Sequence, residues 1–348
     1  MRSVRTVLVL MAMLVTALPL AAQQTVGRET LDCLPAVRLG GQPMVMPPWL
    51  KPGDRIAIVS PSSCPDSMTV VRGCQTLREW GYVPVVGRHA LKRYHGFAGT
   101  ADERTEDLLW ALSDTTIHAV MCSRGGDGAV QVLQRLPLSV FARNPKWLIG
   151  FSDATALHSA AVSAGVMSIH GSMCHAISSM QGRDTVSVTL RRLLRGELPT
   201  YHVAPHPLDQ RGEATGMLVG GNMSVFCGLA GSDYDFLNRA DEGLILFIED
   251  TKEEMTKVDR MLHLLEIRGV LQKLRGIIVG RFNDYKRPEN DFDDMYEMLH
   301  EYLQHYDFPV CSGFPVGHAR LNNFPMVEGC EVRLTVGGTG TRLAFIGM

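Results

Sequence analysis

The chain has 348 residues, 45% of them hydrophobic, and a formal net charge of −2. That length supports a sizeable core and divides more naturally into two domains than into one. The near balance of acidic and basic residues offers no basic stripe for nucleic acid and no lysine-rich face for a membrane surface, which leaves small neutral or zwitterionic partners.

Residues 1–22 stand apart. Arg2 and Arg5 precede an uncharged apolar run from Val7 to Leu20, and Ala21 and Ala22 follow. This order predicts a secretory signal peptide cut near Ala22, because the run is shorter than the roughly 20 residues a membrane-spanning helix needs. The mature protein is therefore expected to be exported, to the periplasm or cell envelope, with no membrane insertion after signal removal. Residues 23–50 have no sustained period and are expected to form an extended lead-in, with the fold beginning near Lys51.

Ile56 to Val59 reads as a buried strand, followed by the turn-rich Ser60-Pro61-Ser62-Ser63, where an α/β protein places a ligand loop. A strand at Val83 to Val86 comes next. The helical period of Leu108, Leu109 and Leu112 then leads to an apolar run from Ile117 to Cys122 and to the glycine-rich Ser123-Arg124-Gly125-Gly126-Asp127-Gly128. Short apolar runs alternating with helical periods predict a parallel sheet flanked by helices over residues 51–198.

Lys146 to Ile149 reads as a short strand, and Asp153 to His158 opens a helix. Between them, Gly150-Phe151-Ser152-Asp153-Ala154 is a turn with small residues two before and two after a serine. That is the spacing of a nucleophile elbow, in which larger flanking side chains would clash with the sharply bent backbone. Ser152 fits an ordinary helix N-cap equally well. A serine nucleophile needs a base and donors for the oxyanion. The backbone amides of Gly125 and Gly126, after the neighbouring strand, and of Asp153 are the candidate oxyanion hole. The glycine run lacks the spacing of either common phosphate-binding loop.

A helix over Val186 to Arg195 precedes residues 199–212, rich in Pro, His and Gly, which are assigned as the linker to a C-terminal domain of residues 213–348. There Leu244 to Ile248 is a predicted strand, Thr251 to Arg268 a helix opened by a T-x-x-E capping box of Thr251 and Glu254, and Gly276 to Val279 another strand. Glu249 and Asp250 end the first of these strands, where a carboxylate serves either a site or the cap of the next helix. The acidic loop from Glu289 to Asp294 lacks the ligand order of a calcium loop and is read as solvated. His318, one of twelve histidines, sits in the loop Gly313-Phe314-Pro315-Val316-Gly317-His318. Type alone does not separate a base from a structural histidine, but a Pro- and Gly-set loop fixes its side chain. The eight cysteines include no C-x-x-C pair, so they read as small buried residues and no zinc site is expected.

From Lys51 to the C-terminus the chain resembles the LD-carboxypeptidases, or muramoyltetrapeptide carboxypeptidases, a family that includes the microcin C self-immunity peptidases. The markers, in order, are P-G-D-x-I-x-I-V-S-P-S, R-G-G-x-G, I-G-F-S-D-A-T-A-L, the G-G-N of Gly220 to Asn222, L-F-I-E-D, and G-H-x-x-x-N at His318. The resemblance implies a flavodoxin-like parallel-sheet N-terminal domain, a smaller β-rich C-terminal domain, a homodimer and no metal or cofactor. It also implies a triad of Ser152, Glu249 and His318 that removes the terminal D-alanine from murein tetrapeptides by cutting the bond after the diamino acid. Asp127, Asn222 and Asn322 are the positions expected to face substrate. Asp127 stands where family members often carry tyrosine, and export departs from the cytoplasmic recycling role of many members. The same triad acting on a peptide–nucleotide conjugate is one alternative, separable by substrate trials. A non-catalytic wall-peptide-binding protein is another, and would show binding without turnover.

Overall fold

A computed structural model of the chain describes residues 38–39, 42–239, 243–286, 292–319 and 322–347. The expected signal peptide, most of the lead-in, Cys33 and residues 289–291 of the acidic loop lie outside them. The first sheet is built from β1 (Arg55–Val59), β2 (Val83–Val86), β3 (Ala119–Cys122), β4 (Trp147–Gly150) and β5 (Ser168–His170). All five run parallel, in the order β5-β4-β3-β1-β2. Every residue of β3 and β4 is buried, as expected where helices cover both faces of a parallel sheet. The helix Ala101–Ser113 starts at a capping box in which Thr100 and Glu103 satisfy each other's backbone amides. At its other end the buried Lys146 ammonium donates to the carbonyls of Ala111, Leu112 and Asp114, a favourable place for a cation.

The second sheet contains β6 (Thr200–Val203), β7 (Gly212–Asn222), β8 (Leu244–Thr251), β9 (Leu274–Asn283) and β10 (Val310–Cys311). After β11 (Met326–Glu328), the strands β12 (Glu331–Gly337) and β13 (Gly340–Gly347) complete it in the order β10-β9-β8-β7-β12-β13-β6. Strands β7 to β10 are parallel; β12, β13 and β6 add antiparallel pairs at one side. The mixed α/β class with a parallel first sheet and a β-rich second unit is thus the one the sequence indicates.

Four details differ from the sequence reading. Residues 44–50 belong to the fold: Val45 exchanges backbone hydrogen bonds with Gly165 and Met167, and Trp49 stacks on Trp147 at 4.7 Å between ring centroids. Thr200–Val203, inside the expected linker, pairs with β13 as an edge strand. The expected capping box of Thr251 is not formed. Thr251 is still in β8, paired with Asn283; Lys252 then takes a left-handed backbone (φ +66°), and the helix Met255–Ile267 begins at Glu254 without a side-chain cap. Finally, β11 leaves the C-terminal half and pairs antiparallel with β5, closing the exposed edge of the first sheet.

The seven described cysteines are free, and six of them are buried. Burial pushes the thiols of Cys122, Cys227 and Cys311 up to about 12, which fits inert packing residues.

Candidate active site

The site lies where the C-terminal ends of the two sheets face each other. The end of β4 turns abruptly into a 3-10 turn, Ser152–Ala154, and then the helix Thr155–Ser163. Ser152 has φ +64°, a conformation that a non-glycine residue adopts only when its surroundings impose it. The small neighbours are required by space: a Cβ added to Gly150 would stand 2.8 Å from that of Ala154. These are the features of an elbow rather than a plain cap: Phe151 holds the cap position of the 3-10 turn and Ala154 that of the helix, so Ser152 caps neither.

The glycine loop after β3 packs against this elbow. A Cβ on Gly125 would lie 2.9 Å from the Ser152 Cβ and 3.0 Å from its Oγ, so only glycine lets the loop come this near. Gly126 has φ +116°, and a Cβ there would meet the hydroxyl of Ser63. Among the described residues the amides of Gly125 and Gly126 donate to no acceptor. The buried Asp153 carboxylate accepts from the Ala129 amide at 2.9 Å, pinning the far end of the same loop. Burial holds that carboxyl above the ordinary aspartate range.

From the second sheet, β8 delivers Glu249 at its end, with no exposed surface. His318 projects from the loop after β10 and bridges the two sheets. Its Nδ1 is 2.7 Å from Glu249 Oε2 and its Nε2 2.9 Å from Ser152 Oγ. Burial pulls the His318 pKa down, but the charge and hydrogen bond of Glu249 outweigh it and leave the ring above the ordinary histidine value. The next carboxylate, Asp250, is occupied differently. It accepts from Asn222 Nδ2 and from the amides of Ser224 and Thr251. Burial raises it to about 6.

An open cleft of about 430 Å³ exposes Ser152 between Arg124, Asp127, Asn222 and Lys252. A second lobe of about 450 Å³, on the other side of His318 and Phe151, is lined by His175, Asp184 and Asn323 among others. Among the described residues no group of His, Cys, Asp and Glu side chains is arranged to hold a metal ion.

Residues 56–171 match the model of the LD-carboxypeptidase N-terminal domain, and residues 215–334 that of the LD-carboxypeptidase C-terminal domain. The chain belongs to the LD-carboxypeptidase family. It is a hydrolase of the serine carboxypeptidase type. The murein tetrapeptide carboxypeptidase of Pseudomonas aeruginosa is 32% identical over 79% of this chain and 91% of its own length. The microcin C7 self-immunity protein of Escherichia coli is 26% identical over 76% and 86%. In fold, the chain is similar to the muramoyltetrapeptide carboxypeptidase from Oxalobacter formigenes, with a TM-score of 0.75 at 24% identity, covering 84% of this chain and 99% of that one.

The carboxypeptidase's remaining expected positions separate. Asp127 lines the cleft with an exposed side chain, its amide bound to Ser63 Oγ. Asn222 also lines it, but its amide group is already taken up: Oδ1 caps the short helix Met223–Cys227 and Nδ2 donates to Asp250. Asn322 lines neither lobe, and its backbone amide closes a turn onto Ala319. The next residue, Asn323, is the one whose side chain reaches into the site's scaffold, accepting from the Gly317 amide at 2.9 Å. Sequence reasoning missed it because adjacent asparagines in an irregular loop carry no periodicity that tells which one turns inward.

Proposed function

We propose that the mature enzyme is an exported L,D-carboxypeptidase that releases the terminal D-alanine of murein tetrapeptides, with Ser152 as nucleophile, His318 as general base and Glu249 as the group that orients and charges the histidine. The reading is carried by the double contact of His318, 2.7 Å to Glu249 on one ring nitrogen and 2.9 Å to Ser152 on the other. Serine attacks the scissile carbonyl as Nε2 takes its proton; the imidazolium, held by the buried carboxylate, returns that proton to the leaving amine. The free amides of Gly125 and Gly126, with that of Asp153, receive the oxyanion. Export rests on residues 1–22, and the homodimer on the family resemblance.

Incubating the mature protein with purified muropeptides tests the substrate assignment: mass analysis should show loss of one terminal alanine from tetrapeptides and no change in tripeptides. Unaltered tetrapeptides would remove the assignment. The likeness to a microcin C7 self-immunity protein supports one further substrate trial, a peptide–nucleotide conjugate, on the same triad. Export is tested by N-terminal sequencing of protein from the envelope fraction, expected to begin near Gln23; an intact Met1 on cytoplasmic protein overturns it.

A further inference from the structure

Behind His318 lies a buried polar strut that the chemistry above does not use. Gly317, with φ +118°, makes the backbone turn that presents His318 to both of its partners. Its amide donates to Asn323 Oδ1 at 2.9 Å. The same oxygen is 3.2 Å from His170 Nε2, on β5 of the other sheet. Since Gly317 N–H can only donate, the atom it meets must be the amide oxygen, and His170 must then donate from Nε2. Nothing in the geometry leaves the tautomer open.

His170 is held for this task. It has no exposed surface, its ring meets Phe247 edge-on at 5.1 Å and packs beside Phe151, and among the described residues its Nδ1 has no hydrogen-bond partner. Burial first, and the neighbouring His158 second, push its pKa down to about 3, so it stays neutral throughout the working range. Asn323 is itself only 6% exposed. A buried histidine and a buried asparagine that each keep one nitrogen without a partner among the described residues are costly for a fold to keep. Both serve one short connection, from the sheet that carries the serine to the loop that carries the histidine.

We propose that Asn323, oriented by His170, is a positioning residue for the reaction: by holding the Gly317 amide it sets the approach of His318 to Glu249 and Ser152 at once. The inference rests on the triad reading of the site. Without the strut the loop keeps its outer backbone bonds, Phe314 to Val279 and Arg281 to Val316, but loses the one nearest the imidazole. His318 would then drift relative to the groups that set its charge, namely the Glu249 and Asp250 carboxylates and the opposing Lys252 ammonium.

The test uses full-length mature protein with Asn323→Ala, Asn323→Asp and His170→Phe, each checked by thermal melting. An L,D-tetrapeptide serves as substrate, and the proton on His318 Nδ1 is followed by NMR. Asn323→Ala should lower kcat by roughly 10²-fold with KM changed by less than about 3-fold, as expected for misplacement of a reacting group by about 1 Å. Its acid limb in the pH–rate profile should move to lower pH, and the hydrogen-bonded Nδ1 proton resonance should shift or vanish. Asn323→Asp keeps an acceptor oxygen and should recover the limb, the resonance and most of kcat. A wild-type limb and kcat in Asn323→Ala, or an equal loss in Asn323→Asp, overturns the proposal. If Asn323→Ala does not fold, His170→Phe decides the matter, since it keeps the aromatic packing and removes only the donor: an unmoved limb and resonance overturn the strut, a moved one supports it. Absence of wild-type turnover on every L,D-tetrapeptide would count against the substrate reading instead, and the NMR comparison would still decide the strut.

Discussion

Gly317 turns its missing side chain toward Glu249: a Cβ built there would lie 2.8 Å from the Glu249 Oε2 and 2.9 Å from its Cβ. The oxygen it would displace is the one bound to His318 Nδ1. Gly317→Ala therefore combines a left-handed backbone penalty of about 1–3 kcal/mol with a direct push on the orienting carboxylate. The expected outcome is a lower melting temperature together with a kcat loss of about 10²-fold. Calorimetry and steady-state kinetics on the same preparation check it, and a variant that loses stability while keeping full kcat would show that Glu249 can move freely.

Ser152 and His318 should behave as one unit. Alanine at either position is expected to remove nearly all turnover, on the order of 10⁶-fold as in a comparable serine triad, and the double variant should be hardly worse than either single one. If the two losses multiplied, the residues would be acting independently and the shared proton transfer would be wrong.

Glu249→Gln separates orientation from charge. The amide keeps the volume and one acceptor while the negative charge is gone, so a loss of up to about 10⁴-fold in kcat is expected, the value of the orienting acid in a serine triad. The pH dependence gives a second readout. In the wild type, Glu249 lifts the His318 pKa above the usual histidine value in spite of burial, so the acid limb of kcat/KM should lie above about 6.5. Removing the charge should move that limb to lower pH. A limb that stays in place would mean that a different group titrates.

Glu328 and His158 are both fully buried and 3.9 Å apart, in the region between the sheets. Burial raises the Glu328 carboxyl well above its ordinary range, only partly offset by the Gly220 amide, and lowers His158 to about 4. Burial thus drives the pair toward an uncharged acid beside a neutral ring. Because the folded-state value of Glu328 is raised, its contribution is complete below the unfolded pKa of about 4.3 and is lost as pH rises toward the folded value, by up to about 1.4 kcal/mol per pH unit. Glu328→Gln should abolish that slope, with a stability advantage that is smallest near the unfolded carboxyl value and grows as pH rises above it. Denaturant titrations across this range measure it; an advantage that shrinks with rising pH would mean the carboxylate is ionised in the fold.

The parts of this molecule written in short-range pattern were legible. The buried runs of β1, β3, β4 and β8, the G-F-S-D-A turn and the glycine loop each carry a local signal that agrees with the tertiary answer. The misses were places where a distant partner overrides local chemistry. Thr251 and Glu254 have the spacing of a capping box, but pairing with β9 keeps Thr251 in the strand, and Lys252 makes the reversal in a conformation usually left to glycine. Met326–Glu328 is too short for periodicity to assign it to either sheet. The choice of Asn323 over Asn322 depends on His170, a residue from the other half of the chain.

The return of β11 to the first sheet has a consequence for how the protein is made. The edge of β5 finds its partner only in Met326–Glu328, so the first sheet remains open until that segment, far along the chain, has been synthesised. Pairings this far apart in sequence form slowly, because loop closure must precede the contacts that reward it. His318, which bonds both Glu249 and Ser152, likewise comes only a few residues before the strand that locks the two halves together. A hydrolase assembled in that order lacks its histidine until the loop after β10 has been made.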